Sequence, residues 1–245
     1  MTAHGDMDSL MAFRSDDGGM LLVDKPREWT SFDVVRKVRG MLRVRKIGHA
    51  GTLDPLATGL LILASGKHTK SIDSYQAQQK IYSGTMLLGA VTASYDAAMP
   101  PVDERPLDGI DETTIRGAAA TFVGAQMQVP PMFAALKQGG RRLYTLARAG
   151  IDVAREPRAV HIHRFEIEAV DLPRVTFTVE CSKGTYVRSL AHDMGQALGC
   201  GAYLETLRRE AIGEYRVETA WTLEQLSAAA ELLRPAQTEA ADAGR

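Results

Sequence analysis

Hydrophobic positions along the chain recur with both the two-residue period of strands and the three-to-four-residue period of helices. Alternation and short apolar runs predict strands at Gly19–Val23, Gly59–Ala64, Ile81–Val91, Val160–Val170, Val175–Cys181 and Tyr215–Val217. Helical spacing predicts helices at Phe32–Leu42, Lys67–Ala77, Glu112–Phe122, Arg142–Ala149, Tyr186–Leu198 and Leu223–Leu233. Strands that pair as hairpins with helices placed irregularly between them favour an α+β fold over a repeating βαβ unit.

Capping residues and prolines predict where helices begin and where loops and turns lie. Ser31 is placed to cap the helix that begins at Phe32. The three prolines and several acids of Ser94–Gly109 predict a loop, and Pro130–Pro131 within Gln126–Met132 predicts an irregular turn. The segment Met1–Asp17 is polar and acidic, so we expect a disordered leader there.

Composition limits the class of protein. A hydrophobic fraction of 45% over 245 residues provides a sizeable core. The two cysteines, Cys181 and Cys200, are too few for a disulfide framework and form no C-x-x-C pair for zinc. The leader lacks the apolar region of a signal peptide, and no apolar run is long enough to span a bilayer. The cytoplasm is therefore the expected location.

Charge is unevenly distributed, although the formal net charge is only −1. Arg36–Lys46 holds six basic residues and no acid, and Lys137–Arg148 is likewise basic without an acid. Acids gather at Asp103–Glu112 and after Glu231. A concentrated basic surface is what phosphate binding requires, although most charge runs are simply solvated helix faces.

One loop stands out as a place for chemistry. Lys46–Gly59 reads K-I-G-H-A-G-T-L-D-P-L-A-T-G and contains a single carboxylate, that of Asp54. Glycines precede this acid, and Pro55 biases its backbone away from the helical region. Most Asp-Pro pairs are ordinary turns, but a lone acid on a stiff loop beside a buried strand is also a favourable position for a reactive group.

The same loop resembles the active-site signature of the TruB family of tRNA pseudouridine synthases. Five other segments are similar to that family in order and spacing: L-L-V-D-K-P-R-E-W-T-S (Leu21–Ser31), V-P-P-M-F-A-A-L-K (Val129–Lys137), G-R-R-L-Y-T-L-A-R-A-G (Gly140–Gly150), C-S-K-G-T-Y-V-R-S-L (Cys181–Leu190) and L-R-R (Leu207–Arg209). The resemblance runs from about residue 19 to about residue 233.

The resemblance implies a fold and a domain plan. The fold is that of pseudouridine synthases, one mixed and mostly antiparallel sheet with flanking helices and an RNA-gripping thumb insertion. The catalytic domain would span residues 18–234, with the insertion at about 126–152 and the C-terminal part of the core at about 189–234. A disordered tail would follow at 235–245. The dozen residues after Leu233 cannot form the C-terminal PUA domain that many members carry.

It also implies roles for particular residues. Asp54 would be the nucleophile, attacking C1′ or C6 of uridine or abstracting a ribose proton. Arg188 would pair with it and keep it charged. Tyr82 would stack on the flipped uracil and handle a proton. Three groups of residues are also implied to bind substrate. His49 would fill the gap left by the base, and Tyr186 and Leu207 would line the base pocket. The lysines Lys25, Lys70 and Lys137 would steady phosphates or the loop.

Three further positions can be compared with the family pattern, one that matches it and two that depart from it. Asp96 matches a family acid near the RNA surface. Glu28 stands where the family usually has glycine, and Met99 stands near where a glycine commonly follows Asp96. Both departures lie outside the Asp54 loop, so we expect local backbone changes and retained activity.

The implied reaction is conversion of uridine 55 in the TΨC arm of tRNA. Because it is an isomerisation, no cofactor or metal is expected, and the sequence has neither a Walker A motif nor a dinucleotide fingerprint. The expected partner is tRNA, with no membrane and a monomeric chain. Two alternatives remain open: a non-catalytic RNA-binding protein that keeps the fold, and a guide-RNA-dependent relative of dyskerin acting on ribosomal RNA.

Overall fold

The computed structural model describes residues 6–134, 137–138, 141–148, 151 and 153–233. The helices are α1 (Met7–Arg14), α2 (Ser31–Leu42), α3 (Ile72–Ala77), α4 (Glu112–Thr121), α5 (Leu143–Arg148), α6 (Val187–Ala197) and α7 (Leu223–Leu232). The strands are β1 (Met20–Lys25), β2 (Ile47–Ala50), β3 (Thr58–Ser65), β4 (Lys80–Leu88), β5 (Gly124–Gln128), β6 (Lys137–Gln138), β7 (Arg141–Arg142), β8 (Arg158–Asp171), β9 (Arg174–Cys181), β10 (Ala202–Ile212) and β11 (Tyr215–Arg216). Short 3₁₀ turns occupy Gly66–Ser71 and Val217–Thr219.

A mixed sheet of nine strands forms the centre of the described part of the chain. Its main order is β1-β3-β10-β4-β9-β8-β5, with β2 paired to β3 and β11 paired to β10. The β3–β10 pair is parallel, whereas the other pairings in this sheet are antiparallel. The predicted α+β class, with a mostly antiparallel sheet and flanking helices, is confirmed.

Two apolar clusters pack helices against different parts of this sheet. Helices α4 and α6 cover β4, β8, β9 and β10, where Met86, Phe177 and Met194 are almost fully buried. Helices α1, α2 and α7 cover β1 and β3. Strand β4 alternates buried and partly exposed positions along its whole length, because successive side chains of a strand point to opposite faces.

The leader prediction was wrong for the described residues 6–17. Helix α1 begins after Asp6, whose side chain accepts from the Asp8 backbone N–H, and Leu10 and Phe13 are fully buried against the second cluster. Two apolar residues three positions apart are the helical signal that the polar composition hid. Residues 1–5 and the predicted disordered tail 235–245 lie outside the described residues.

Three local predictions also need correction. The cap of α2 is Thr30, not Ser31, and it forms a reciprocal capping box with Asp33. The segment Gln126–Met132 begins as strand, since β5 pairs with β8 through Gln128. The helix predicted over Lys67–Ala77 is a 3₁₀ turn followed by α3.

The main strand that the sequence pattern did not predict is β10, the central strand that joins the two halves of the sheet. Its sequence A-Y-L-E-T-L-R-R-E-A-I is rich in charge and has two register shifts against β4, so period-two alternation is lost. Arg209 is 1% exposed within it. A buried arginine is stable only when the tertiary structure supplies its partners, and the sequence does not display those partners.

Candidate active site

The Asp54 loop connects β2 to β3 and is fixed at several points. Gly51 begins it at φ +82°, a left-handed conformation that favours glycine. The Ser31 hydroxyl accepts from the Leu53 N–H at 2.9 Å, and the Asp54 carbonyl accepts from the Ala57 N–H at 3.1 Å. These bonds give the carboxylate a defined direction before any substrate is bound.

Lys25 holds the far side of this loop. Its side chain is fully buried, and Nζ donates to the carbonyls of Pro26 (2.9 Å), Trp29 (2.6 Å) and Pro55 (3.2 Å). Burial lowers its pKa to about 8, an effect that the nearby Asp54 opposes. With three backbone partners and no exposed surface, Lys25 is placed to steady the loop, which is one of the two roles implied for it; contact with substrate stays a prediction.

Asp54 and Arg188 form a two-pronged ion pair. Nε of Arg188 lies 2.9 Å from Oδ2 of Asp54, and Nη2 of Arg188 donates to Oδ1 at 3.1 Å. The Nη2 contact is a hydrogen bond, whereas the Nε–Oδ2 contact is an ion pair without hydrogen-bond geometry, so one bond and charge attraction together hold the carboxylate. The Asp54 side chain keeps 38% of its surface open to the adjoining cavity, whereas the Arg188 side chain is only 5% exposed. The guanidinium is therefore structural support, and the carboxylate is the accessible group.

Arg188 is held by the protein on its remaining sides. Nη1 donates to the Ser94 carbonyl at 3.1 Å and Nη2 to the Phe133 carbonyl at 3.0 Å. Oδ2 of Asp96 lies 3.6 Å from Nη1. Asp96 is itself buried, accepting from the Ser94 hydroxyl at 2.6 Å and the Ala98 N–H at 3.0 Å. Asp96 is thus buried behind the ion pair.

The charge state of Asp54 is set by opposing influences. Burial raises the pKa of its carboxyl above the ordinary value, and the negative charge of Asp96 adds to the rise. Arg188 is the largest influence in the opposite direction, and Lys25 assists it. Loss of either cation would favour the protonated acid, which cannot act as a nucleophile.

A cavity of about 770 Å³ opens from Asp54. Tyr82, Tyr186 and Leu207 line it together with Asp54 and Arg188, so the structure brings five of the predicted site residues to one place. The cavity is lined on its other sides by residues of the Asp54 loop, α3, β4, β10 and the turn before α6. Its volume lies within the usual range of small-molecule sites.

Tyr82 lies on β4 with its hydroxyl near the Arg209 guanidinium. Burial raises the pKa of the phenol, and Arg209 opposes the rise. The side chain is 9% exposed, and that remaining surface contributes to the cavity. The phenol therefore stays protonated at neutral pH and can donate a hydrogen bond.

Tyr186 precedes α6 and is clamped through its backbone. The Gln128 side chain accepts from the Tyr186 N–H at 2.7 Å and donates to its carbonyl at 3.0 Å. The Arg158 guanidinium lies 5.1 Å from the centre of the Tyr186 ring, within range of a cation–π contact. The ring is thus held as one fixed wall of the cavity.

The remaining predicted residues are more dispersed. His49 lies on β2, two residues before the cavity lining begins; burial lowers its pKa, and Arg209 adds to the effect. Lys70 is exposed in the 3₁₀ turn before α3, outside the cavity lining. Lys137 belongs to β6, but its side chain lies outside the described residues.

Sequence reasoning missed four cations in the cavity lining: Lys80, Arg158, Lys183 and Arg209. Arg209 donates from Nε to the Leu60 carbonyl at 2.7 Å and from Nη2 to the Gly51 carbonyl at 3.0 Å. It therefore ties together the two ends of the Asp54 loop. The signal was present, since Arg209 ends the L-R-R segment and Lys80 begins K-I-Y, but neither was assigned a role.

Within the described ranges no group of three or more His, Cys, Asp or Glu side chains is arranged to hold a metal ion. No helix in that part of the chain has the length and apolar character needed to cross a bilayer.

Comparison with solved structures defines the class of protein. The chain is 28% identical to a chain of an archaeal box H/ACA sRNP Nop10–Cbf5 complex, with a TM-score of 0.65, covering 87% of this chain and 54% of that one. A Cbf5–Nop10–Gar1 complex gives 27% identity and a TM-score of 0.69, with coverage of 92% and 60%. The chain thus spans little more than half the length of these solved chains. Fold and site together define a pseudouridine synthase.

Comparison with protein families shows which family of pseudouridine synthases the chain belongs to. Residues 39–187 match the N-terminal domain model of TruB family pseudouridylate synthases, and residues 188–242 match the C-terminal domain model of tRNA pseudouridylate synthase B. The chain therefore belongs to the TruB family. A tRNA pseudouridine synthase B from Chlorobaculum tepidum is 49% identical over 86% of this chain and 90% of its own length. One from Burkholderia pseudomallei is 47% identical over 95% and 76%.

Proposed function

We propose that this enzyme converts uridine 55 in the TΨC loop of tRNA to pseudouridine, using Asp54. The observation that carries the proposal is the Asp54 carboxylate, which is gripped by Arg188 at 2.9 and 3.1 Å and open to a cavity that can hold a nucleoside. Relatives named tRNA pseudouridine synthase B, with 46–49% identity, support tRNA as the substrate.

The chemistry needs a target base taken out of its stack. Unstacking costs a few kcal/mol, and each base–aromatic contact returns about 1–3 kcal/mol. Tyr82 and Tyr186 supply aromatic surface in the cavity, and Leu207 supplies an apolar edge. Burial in this setting keeps water away from the glycosidic bond while it is broken and re-formed at C5.

Asp54 is the residue for which we propose covalent or proton-transfer chemistry. Three routes fit one accessible carboxylate: attack on C1′, attack on C6, or removal of a ribose proton. In each route we propose that Arg188 keeps the carboxyl ionised and oriented and that the Tyr82 hydroxyl, protonated because burial raises its pKa, exchanges a proton. Nothing enters or leaves the overall reaction, so the enzyme needs only these groups.

RNA contact is supported by the charge around the cavity. The lining holds five cationic side chains and two carboxylates in its described part: Lys80, Arg158, Lys183, Arg188 and Arg209 against Asp54 and Asp73. The exposed basic residues at the end of α2 and after it lie beside β2, the strand that leads into the Asp54 loop. We propose that the backbone of the tRNA arm lies across this surface.

The remaining parts of the proposal concern organisation. We propose that the insertion at about 126–152 grips the RNA, that His49 fills the space left by the flipped base, and that Lys70 and Lys137 contact phosphates. A monomeric enzyme acting in the cytoplasm completes this hypothesis.

A guide-dependent role is the second candidate, because Cbf5 structures are among the similar folds. One experiment separates the possibilities. The purified chain is incubated with an unmodified tRNA transcript, without guide or added protein, and pseudouridine is mapped by carbodiimide-dependent reverse-transcription stops. A new stop at position 55 is expected. No stop anywhere would favour a guide-dependent or non-catalytic protein.

Asp54→Asn tests the mechanism. Replacing the carboxylate by an amide of the same shape removes the ionised oxygen, so tritium release from C5-labelled uridine RNA is expected to vanish while RNA binding is retained. Asp108→Asn, which removes an exposed carboxylate in the loop before α4, is the matched control and should keep full activity. Full activity in Asp54→Asn would refute the assignment.

A further inference from the structure

The turn Ser94–Asp96 lies directly behind the catalytic ion pair. Its first residue offers a carbonyl to Nη1 of Arg188 at 3.1 Å, and its last residue brings a carboxylate 3.6 Å from the same nitrogen. The position of Arg188, and through it that of Asp54, therefore depends on the shape of this turn.

The residue between them, Tyr95, has an unfavourable backbone conformation. Its φ is +62°, in the left-handed region that side chains other than glycine rarely adopt. Strain of this kind persists only where the surroundings hold it, and it is concentrated at functional sites. Strand β10 holds one side of the turn, since the Leu204 N–H donates to the Tyr95 carbonyl at 3.0 Å.

His192 holds the other side of the Ser94–Asp96 turn. Its ring stacks on that of Tyr95, with centroids 3.8 Å apart and an interplanar angle of 9°. His192 is four residues after Arg188 on α6, so the two side chains leave the same face of the helix one turn apart. Helix α6 thus grips three consecutive residues: Arg188 binds the first and third, and His192 covers the middle one.

The His192 ring and its Nδ1 atom indicate that this residue acts by stacking. Nδ1 of His192 is buried without a hydrogen-bond partner among the described residues. Burial lowers the pKa of the ring, with Arg105 and Arg155 adding to the effect, so the neutral form is the one that stacks. The flat face of the ring is therefore what the site uses.

We propose that His192 is a positioning residue for pseudouridine formation: by stacking on Tyr95 it keeps the Ser94–Asp96 turn in the shape that orients Arg188 against Asp54. The inference rests on the proposed function of Asp54. His192 does not line the cavity beside Asp54, so we expect it to act on the rate of the chemical step and not on RNA binding.

The test compares three variants by steady-state tritium release from C5-labelled RNA. His192→Ala removes the stack and is expected to lower kcat about 10- to 100-fold, the range expected when a catalytic group moves by a fraction of an ångström to an ångström. KM should stay unchanged. His192→Phe keeps a flat ring and should restore kcat. His163→Ala, which removes an exposed histidine in ring contact with His161, is the control and should match the wild type.

Each other outcome overturns the inference. Wild-type kcat in His192→Ala would show that the stack is dispensable, and a raised KM with unchanged kcat would assign His192 to RNA binding. A loss that His192→Phe does not restore would point to imidazole chemistry instead of ring stacking. If His192→Ala does not fold, Tyr95→Leu removes the other half of the stack and must lower kcat in the same way.

Failure of this inference is distinguishable from failure of the proposed function. An Asp54→Asn variant with full activity would refute the proposed function itself. An enzyme that requires Asp54 but tolerates His192→Ala would leave that function intact and refute only the positioning role.

Discussion

Arg209 provides the most quantitative test of how the Asp54 loop is held. Its buried guanidinium bridges the Leu60 carbonyl (2.7 Å) and the Gly51 carbonyl (3.0 Å), one at each end of the loop. Gly59 packs against the backbone of the same arginine so closely that a Cβ there would lie 2.4 Å from the Arg209 carbonyl oxygen. The loop and β10 are therefore fitted to each other.

Arg209→Met keeps the length of the side chain and removes both bonds. Each charge-assisted hydrogen bond contributes about 1.5–3 kcal/mol, and the two carbonyls would be left without a partner. Part of this loss is recovered because a guanidinium no longer has to be desolvated. We expect a net loss of about 3 kcal/mol in the free energy of unfolding. For a domain of this size that corresponds to a fall in Tm of about 6–12 °C.

The assay is thermal unfolding followed by circular dichroism, with Arg208→Met as the matched control. Arg208 is adjacent on β10, points to the opposite face, and forms a partly exposed ion pair with Asp24 at 2.7 Å. Partly exposed pairs typically contribute about 1 kcal/mol, so this control, which also loses a two-pronged contact, should still lose clearly less stability than Arg209→Met. If Arg209→Met melts within the range of the control, the bridging role is refuted.

Four further predictions concern the site and its surroundings. Tyr82→Phe keeps the ring but removes the hydroxyl beside Arg209, so RNA binding should be nearly normal while kcat falls by about 100-fold or more; unchanged turnover would assign Tyr82 to packing alone. Burial raises the pKa of Asp54, and the proposed chemistry requires its ionised form, so the single-turnover rate should fall with decreasing pH through a pKa above the ordinary value of about 3.9. Asp96→Asn removes a charge that contributes to that rise, so it should move this limb of the profile to lower pH, and an upward shift would contradict the assignment. Glu28 has φ +68°, so Glu28→Gly should raise the free energy of unfolding by about 0.5–1 kcal/mol, measured by urea unfolding; an unchanged or lower value would contradict the strain argument.

The two positions that depart from the family pattern have different structural settings. Glu28 adopts the left-handed conformation that explains why glycine is usual there, and its N–H donates to the Pro55 carbonyl at 2.8 Å. The chain thus keeps the turn, at a cost, with a residue that disfavours it. Met99 is exposed in the loop after Asp96. We expect neither position to affect the chemistry of Asp54.

Several features were determined by the sequence alone, because they depend on local physics. Periodicity identified β3, β4, β8, β9, α2, α4, α6 and α7 to within a few residues. The glycines and proline around Asp54 described a shaped loop, and the long match to the TruB signature indicated both Asp54 and its partner Arg188, which lie 134 positions apart.

Tertiary structure decided everything that depends on which buried polar groups find partners. The sequence did not show that Lys25 would be sealed beneath the loop by three carbonyls, or that Arg209 would tie the ends of that loop together. Strand β10 escaped prediction for the same reason. A charged side chain in a core is stable only when distant segments supply its hydrogen bonds, and a linear pattern of polar and apolar residues records the charge without recording its partners.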